Sequence, residues 1–357
     1  MNIDWELASK SRCVSCGPRA VRRLDVRERL WQDAPPHPSE LSIPADFRRP
    51  DRRREAAPGH RAPSGRATAG LGQTDPMRIE LATEPGDPDR PNEDYASVAL
   101  PASGQGGSLV LLDGVTPPAE DVGCLHSVPW FTARLGGALG ELSVSRPDLT
   151  LPEILAAAIS RTADTHRDTC DLSHPRTPQA TVVLARWDAE RVSYLVLSDS
   201  ALLVAGPGGA VDAILDPRLD ELPAAVRELG AAVRALPRGS AERRALGREY
   251  AAAVEALRNA EGGFFTAAAD PSVAARAVTG ELPRSAVTAV AALTDGVGRW
   301  VETFREGGWA DCFALLRKDG PRGLVERVRE LETADPDGAA FPRGKRHDDA
   351  AVVYAEL

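Results

Sequence analysis

Four short acidic segments constrain this chain more than anything else in it: Arg90-Pro91-Asn92-Glu93-Asp94, Leu112-Asp113-Gly114, Leu293-Thr294-Asp295-Gly296 and His347-Asp348-Asp349. Three of them touch apolar, strand-like runs, Ser108 to Leu112, Ala286 to Leu293 and Ala350 to Val353, so their carboxylates fall where strands meet loops. Strand ends are rigid places from which to aim ligands. Carboxylates gathered there repel one another unless something positive lies between them.

A set of oxygen ligands without His or Cys suits the hard ions magnesium and manganese. A centre holding two such ions is the natural hydrolytic reading. Metal ions at such a site lower the pKa of a bound water from about 15.7 toward about 7 and clamp a phosphoryl oxygen. Each Asp-Gly pair taken alone also reads as a simple turn, so the order and context of the four segments carry the argument.

That order is Arg-x-Asn-Glu-Asp, hydrophobics-Asp-Gly, Ala-Thr inside an apolar run (Ala180-Thr181-Val182-Val183), Asp199-Ser200, Thr-Asp-Gly, then Asp348-Asp349 at the C-terminal strand. Over about residues 77 to 357 it resembles the metal-dependent serine/threonine protein phosphatases of type 2C (the PPM type), as a divergent, bacterial-like member. The resemblance implies an α+β fold of four layers, αββα, in which a central antiparallel β-sandwich is flanked by helices. It implies two Mn²⁺ or Mg²⁺ ions held by Asp94, Asp113, the Gly114 carbonyl, Asp295 and Asp348. Glu93 would hold metal-bound waters, and Arg90 would meet the phosphate of a phosphorylated protein or other phosphomonoester.

The chain departs from the family pattern at several points. Gly114 is followed by Val115-Thr116-Pro117-Pro118 where the family has an aromatic residue or Met and two glycines, which implies a differently shaped loop. Ser198-Asp199-Ser200-Ala201 lacks the family's arginine. The phosphate-binding arginine often stands three residues before the Asn, where this chain has Asp89, with Arg90 one step later. The stretch His174 to Gln179, where some members carry a carboxylate for a third ion, holds no acid, and Asp171 is the nearest candidate.

The chain has 357 residues and a formal net charge of −9. Residues 1–76 carry 14 Lys/Arg against 10 Asp/Glu, so the remainder is more acidic than the whole and no partner for nucleic acid. Runs such as Ala34-Pro35-Pro36-His37-Pro38 and Arg48 to Arg54 lack helical or strand periodicity, which predicts a disordered extension over 1–76 and a folded domain over 77–357. Met77, at the first strand-like segment, is a candidate translational start. No apolar stretch of signal-peptide or membrane-spanning length appears, so the expected location is cytoplasmic, without membrane contact. Five cysteines form no disulfide framework, and Cys13-x-x-Cys16 lacks a second pair.

Apolar spacing predicts helices over Val128 to Leu142 and over Leu151 to His166, the latter with Pro152 near its start, covering one face of the sandwich. Strands are expected over Arg78 to Ala82, Thr181 to Trp187, Val192 to Ser198, Leu202 to Ala205 and Val211 to Leu215. Residues 217 to 261 read as a helical insertion, with Ser240 as N-cap of a helix over Ala241 to Ala260. It is either a flap beside the cleft or a peripheral hairpin, and its Arg243, Arg244 and Arg248 either meet an acidic substrate or pair with Glu242 and Glu255.

Cys124-x-His126 and Cys170-x-x-x-His174 invite a zinc reading. Their spacings are not a usual zinc signature, and the sequence favours buried thiols with hydrogen-bonded imidazoles. Cys170 and Arg176 match the bare Cys-x5-Arg spacing of a cysteine phosphatase, but Asp171 and the missing glycines argue against an anion cradle. Two functional classes stay open, an active metal-dependent phosphomonoesterase and a catalytically silent phosphatase-like binding or regulatory module. Retention of all four acidic segments favours the enzyme.

Overall fold

The computed structural model of the chain describes residues 77–103, 105–117, 122–237 and 239–357. The predicted extension 1–76, with its Cys13-x-x-Cys16 pair and basic cluster, lies outside the described residues, as do Pro118 and Arg238.

Among the described residues, ten strands form two antiparallel five-stranded sheets. One has the order β1 (Ile79–Glu84), β10 (Ala350–Glu356), β9 (Ala289–Leu293), β6 (Ala201–Ala205), β7 (Val211–Ile214). The other runs β2 (Tyr95–Ala99), β3 (Gly107–Leu112), β4 (Val182–Trp187), β5 (Arg191–Leu197), β8 (Val278–Pro283). Helices α1 (Val128–Ser145) and α2 (Leu151–Asp164) cover the second sheet, and α5 (Asp295–Glu302) and α6 (Trp309–Ala334) cover the first. The result is the four-layer αββα arrangement that the resemblance implies.

The central strands read as unbroken apolar runs because both of their faces are buried. Leu109 and Leu111 of β3 point between the sheets, toward Val290, Ala292 and Val353, while Val110 and Leu112 point outward under α1 and α2. In β10 the alternation repeats, with Ala351 and Val353 between the sheets and Val352 and Tyr354 under α5 and α6. Period-two side chains on a pleated strand make this two-sided burial possible. Its drive is about 25 cal/mol per Å² of apolar surface removed from water.

Helix starts follow their local chemistry. Ser127 caps α1 by accepting from the Trp130 N–H, and Thr150 with Glu153 forms a reciprocal capping box at α2. The insertion contains α3 (Ala224–Ala235) and α4 (Ala241–Glu255), and Ser240 caps α4 as expected by accepting from Arg243 N. Helix α4 ends five residues earlier than expected. Leu257 O instead accepts from Phe264 N at 3.1 Å, and Asn259 N donates to Phe264 O at 2.7 Å. No helix among the described residues is long and apolar enough to cross a membrane.

Candidate active site

The four acidic segments converge at one end of the sandwich. Asp94 directly precedes β2, Asp113 directly follows β3, Asp295 opens α5 two residues past β9, and Asp348 lies two residues before β10. Antiparallel register brings these ends together: β9 is flanked by β10 and β6, with Leu293 level with both Val352 and Ala201, and β3 pairs β2 with Leu112 level with Tyr95.

Neighbouring groups fix the acidic segments in place. Asp94 Oδ2 accepts from Thr294 Oγ1 at 3.0 Å, and Thr294 Oγ1 accepts in turn from Ala351 N at 2.9 Å. The Asp113 backbone is clamped by Thr181, whose N–H donates to Asp113 O at 2.9 Å and whose Oγ1 accepts from Asp113 N at 3.2 Å. Asp349, next to the predicted ligand Asp348, turns the other way and accepts from Gly86 N and Glu93 N, both at 2.7 Å, thereby fixing the Glu93-Asp94 pair.

The two Asp-Gly pairs are not left-handed turns. Neither Gly114 nor Gly296 has a positive φ. A Cβ on Gly114 would sit 2.5 Å from Glu93 O, and one on Gly296 would sit 2.0 Å from Asp349 O. These glycines let the acidic segments approach one another, which the turn reading of the sequence misses.

Close approach has an electrostatic cost. Burial, then the charges of Asp349 and Asp348, push the Asp94 carboxyl well above its usual range. Burial, Asp295 and Asp94 do the same for Asp113, and burial with Asp348 raises Asp295. Glu93 is raised by burial against the opposing hydrogen bond from Thr116 Oγ1 at 2.6 Å. Asp199 belongs to the same field, since its charge acts on Asp113.

Partners that the sequence reading did not single out offset part of this charge. Asp348 is 3% exposed, and its Oδ2 accepts from Arg299 at 2.7 Å while its Oδ1 accepts from Lys345 Nζ at 2.9 Å. Lys345 also donates to Thr116 Oγ1 at 2.9 Å. Arg299 donates its other nitrogen to the fully buried Glu332, which also accepts from Arg329 and pairs with His347. Arg90 is exposed, close enough for its charge to act on Glu93.

The insertion returns beside this centre. Gly114 bridges Ala180, and Ala180 bridges Ala267, just past the insertion. Glu255 at the end of α4 takes a two-pronged contact from Arg176, at 2.5 and 3.0 Å. Of the two alternatives for the helix's arginines, pairing with Glu255 is not what Arg243 and Arg244 do: Arg243 donates to Leu236 O and Arg244 to Gly239 O. Arg258 lies within electrostatic reach of Asp199, so a guanidinium from the insertion stands near the aspartate whose family arginine is missing. Asp171, the third-ion candidate, is exposed and accepts from the N–H and hydroxyl of Ser173.

The donor set suits hard divalent cations. Asp94 Oδ1 is buried and has no hydrogen-bond partner among the described residues, a need that a bound cation would meet.

No protein-family model matches the chain, and no curated protein matches it by sequence. Solved structures do. A bacterial serine phosphatase in variant form superposes with a TM-score of 0.50 at 13% identity, over 79% of this chain and 98% of that one. Serine/threonine phosphatase Stp1 from Staphylococcus aureus gives 0.49 at 13% identity, over 79% and 95%. The Mycobacterium tuberculosis serine/threonine phosphatase PstP gives 0.45 at 15% identity, over 79% and 98%. With its two five-stranded sheets and paired helical layers, the chain carries the fold of the type 2C serine/threonine phosphatases.

Proposed function

We propose that this chain is a metal-dependent phosphomonoesterase acting on phosphoserine or phosphothreonine in proteins. The observation that carries this reading is the convergence of the buried Asp113 and Asp348 with the half-buried Asp94 and Asp295, Asp94 having one buried oxygen without a hydrogen-bond partner among the described residues, at the end of a phosphatase-type sandwich. Two ions, Mn²⁺ or Mg²⁺, would be held by these carboxylates and the Gly114 carbonyl. When bound, such ions polarise a phosphoryl oxygen and acidify a water.

The residues themselves have separable roles. Thr294 and Thr181 fix Asp94 and Asp113, so the ligand oxygens cost little reorganisation on binding. Glu93, raised in pKa by burial and held by Thr116, would orient water at the rim. Arg90, on the exposed turn before it, would meet the substrate phosphate. The helical insertion, tied down by Arg176 and Glu255, forms one border of the cleft.

A second reading, a silent binding module, is favoured by one observation: Lys345 and Arg299 already hold both oxygens of Asp348. The two readings separate on hydrolysis of p-nitrophenyl phosphate and of a phosphothreonine peptide by the purified full chain with Mn²⁺. Turnover abolished by chelator supports the enzyme. Binding of a phosphopeptide without turnover supports the module.

A further inference from the structure

Outside the acidic centre, the strongest cluster of ligand-type side chains among the described residues is Cys124, His126, His166 and Cys170, whose ligand atoms all lie within 4.8 Å of one another. The fourth member corrects the sequence reading. His166, four residues before Cys170, joins the group, whereas His174 turns away and accepts from Arg176 N at 3.1 Å.

The distances are those of a coordination shell. Cys124 Sγ lies 3.3 Å from Cys170 Sγ, 3.6 Å from His126 Nδ1 and 3.5 Å from His166 Nδ1, and Cys170 Sγ lies 3.4 Å from His126 Nδ1. A tetrahedral zinc ion with Zn–S near 2.3 Å and Zn–N near 2.0–2.1 Å spaces its sulfurs roughly 3.8 Å apart and its sulfur–nitrogen pairs roughly 3.5 Å apart. The observed edges match the second figure and fall somewhat inside the first. Both cysteines are free thiols.

The surroundings are those of a built site. Backbone N–H groups point at the sulfurs, Leu125 N to Cys170 Sγ and His126 N to Cys124 Sγ, both at 3.4 Å. The His126 ring stacks on Trp130 with centroids 3.9 Å apart, and the buried His166 meets the same indole edge-on at 5.1 Å. Asp171 N donates to Gly123 O at 2.8 Å, closing the two ligand loops on each other. Gly123 has φ +68°, and a Cβ there would meet His174 at 2.5 Å.

From this geometry we infer a structural zinc site in which Cys124, His126, His166 and Cys170 enclose one ion. Two thiolates and two imidazoles in four-coordinate geometry are a donor set for zinc, and four protein ligands leave no open position for chemistry. The site joins the segment leading into α1, which caps at Ser127, to the segment leaving α2 after Asp164. Its role is to fasten the segment Gly123 to Ser127, which leads into α1, to the segment that leaves α2.

The test is the metal content of the full chain purified under reducing conditions, together with the absorption of its Co²⁺-substituted form. One zinc per chain is expected, with an intense thiolate-to-cobalt band and the strong visible bands of tetrahedral cobalt. Both should vanish in Cys124→Ser/Cys170→Ser and persist in Asp113→Asn, which alters only the acidic centre. Should the double variant fail to fold, the cobalt spectrum of the unaltered chain decides, with His126→Ala as the milder change. The inference is overturned if the reduced chain offered zinc retains none, if its cobalt form has no thiolate band, or if zinc persists without the cysteines. It is likewise overturned if the native chain carries a Cys124–Cys170 disulfide in place of metal. Failure of hydrolysis with zinc present would count against the proposed activity and leave this site standing.

Discussion

At the residue scale, Arg299 is a buried counter-charge of the acidic centre. It is 6% exposed and bridges Asp348 and Glu332, so its removal leaves two buried carboxylates short of a counter-charge. Arg299→Ala should cost about 3–5 kcal/mol, the range for breaking a buried pair by removing one partner. Urea unfolding of the variant reads this, and a loss under about 1 kcal/mol, the value for surface pairs, would contradict it. The raised carboxyls give a second expectation. Their folded pKa values lie above the unfolded ones, so in chelator their contribution to stability is full below the usual carboxylate range and is lost as pH rises through the folded values. Metal-free chain should therefore melt lower as pH rises from mildly acidic to neutral, and Mn²⁺ should reverse the trend. A metal-free melting temperature that climbs over that interval would count against the cluster. The acidic residues themselves were legible in the sequence because they sit beside apolar runs. Their counter-charges were not: Arg299 lies 49 residues from Asp348, and Lys345, though only three residues from Asp348, lies in an irregular segment where that spacing signals no pairing.

At the element scale, the strands with two buried faces announce themselves as apolar runs, α1 and α2 by their apolar spacing, and α4 by its cap Ser240. Edge strand β8 did not, because Val278 to Pro283 alternates half-buried with exposed positions and contains Gly280, Glu281 and Pro283. Helix α6 was obscured by Gly320-Pro321, where Gly320 leaves helical geometry at φ 75° and kinks it. The Thr150 capping box makes a direct prediction: Thr150→Ala removes the side chain that accepts from Glu153 N and should cost about 0.5–2 kcal/mol. Leu155→Ala, one turn further along the same helix in a fully buried position, should cost about 2–5 kcal/mol. Thermal or urea unfolding of the pair orders them, and a larger loss at Thr150 than at Leu155 would mean that α2 is held by its cap and not by its packing.

At the scale of the whole molecule, residues 77–357 supply every element of both sheets and all the described helices. Deleting 1–76 should therefore change stability by no more than about 1 kcal/mol, the scale of surface changes, and a large fall in melting temperature would show that the extension docks on the domain. The central claim is that this sandwich hydrolyses phosphomonoesters with ions held by its acidic end. It is tested most directly by assaying the metal-stripped full chain and Asp113→Asn on a phosphothreonine peptide, with and without Mn²⁺, after circular dichroism has shown that the variant is folded. The account predicts no turnover without the ion, turnover on its return, and a loss of orders of magnitude in Asp113→Asn. Hydrolysis that survives chelation or the substitution, or its absence when calorimetry shows ions bound, would contradict it.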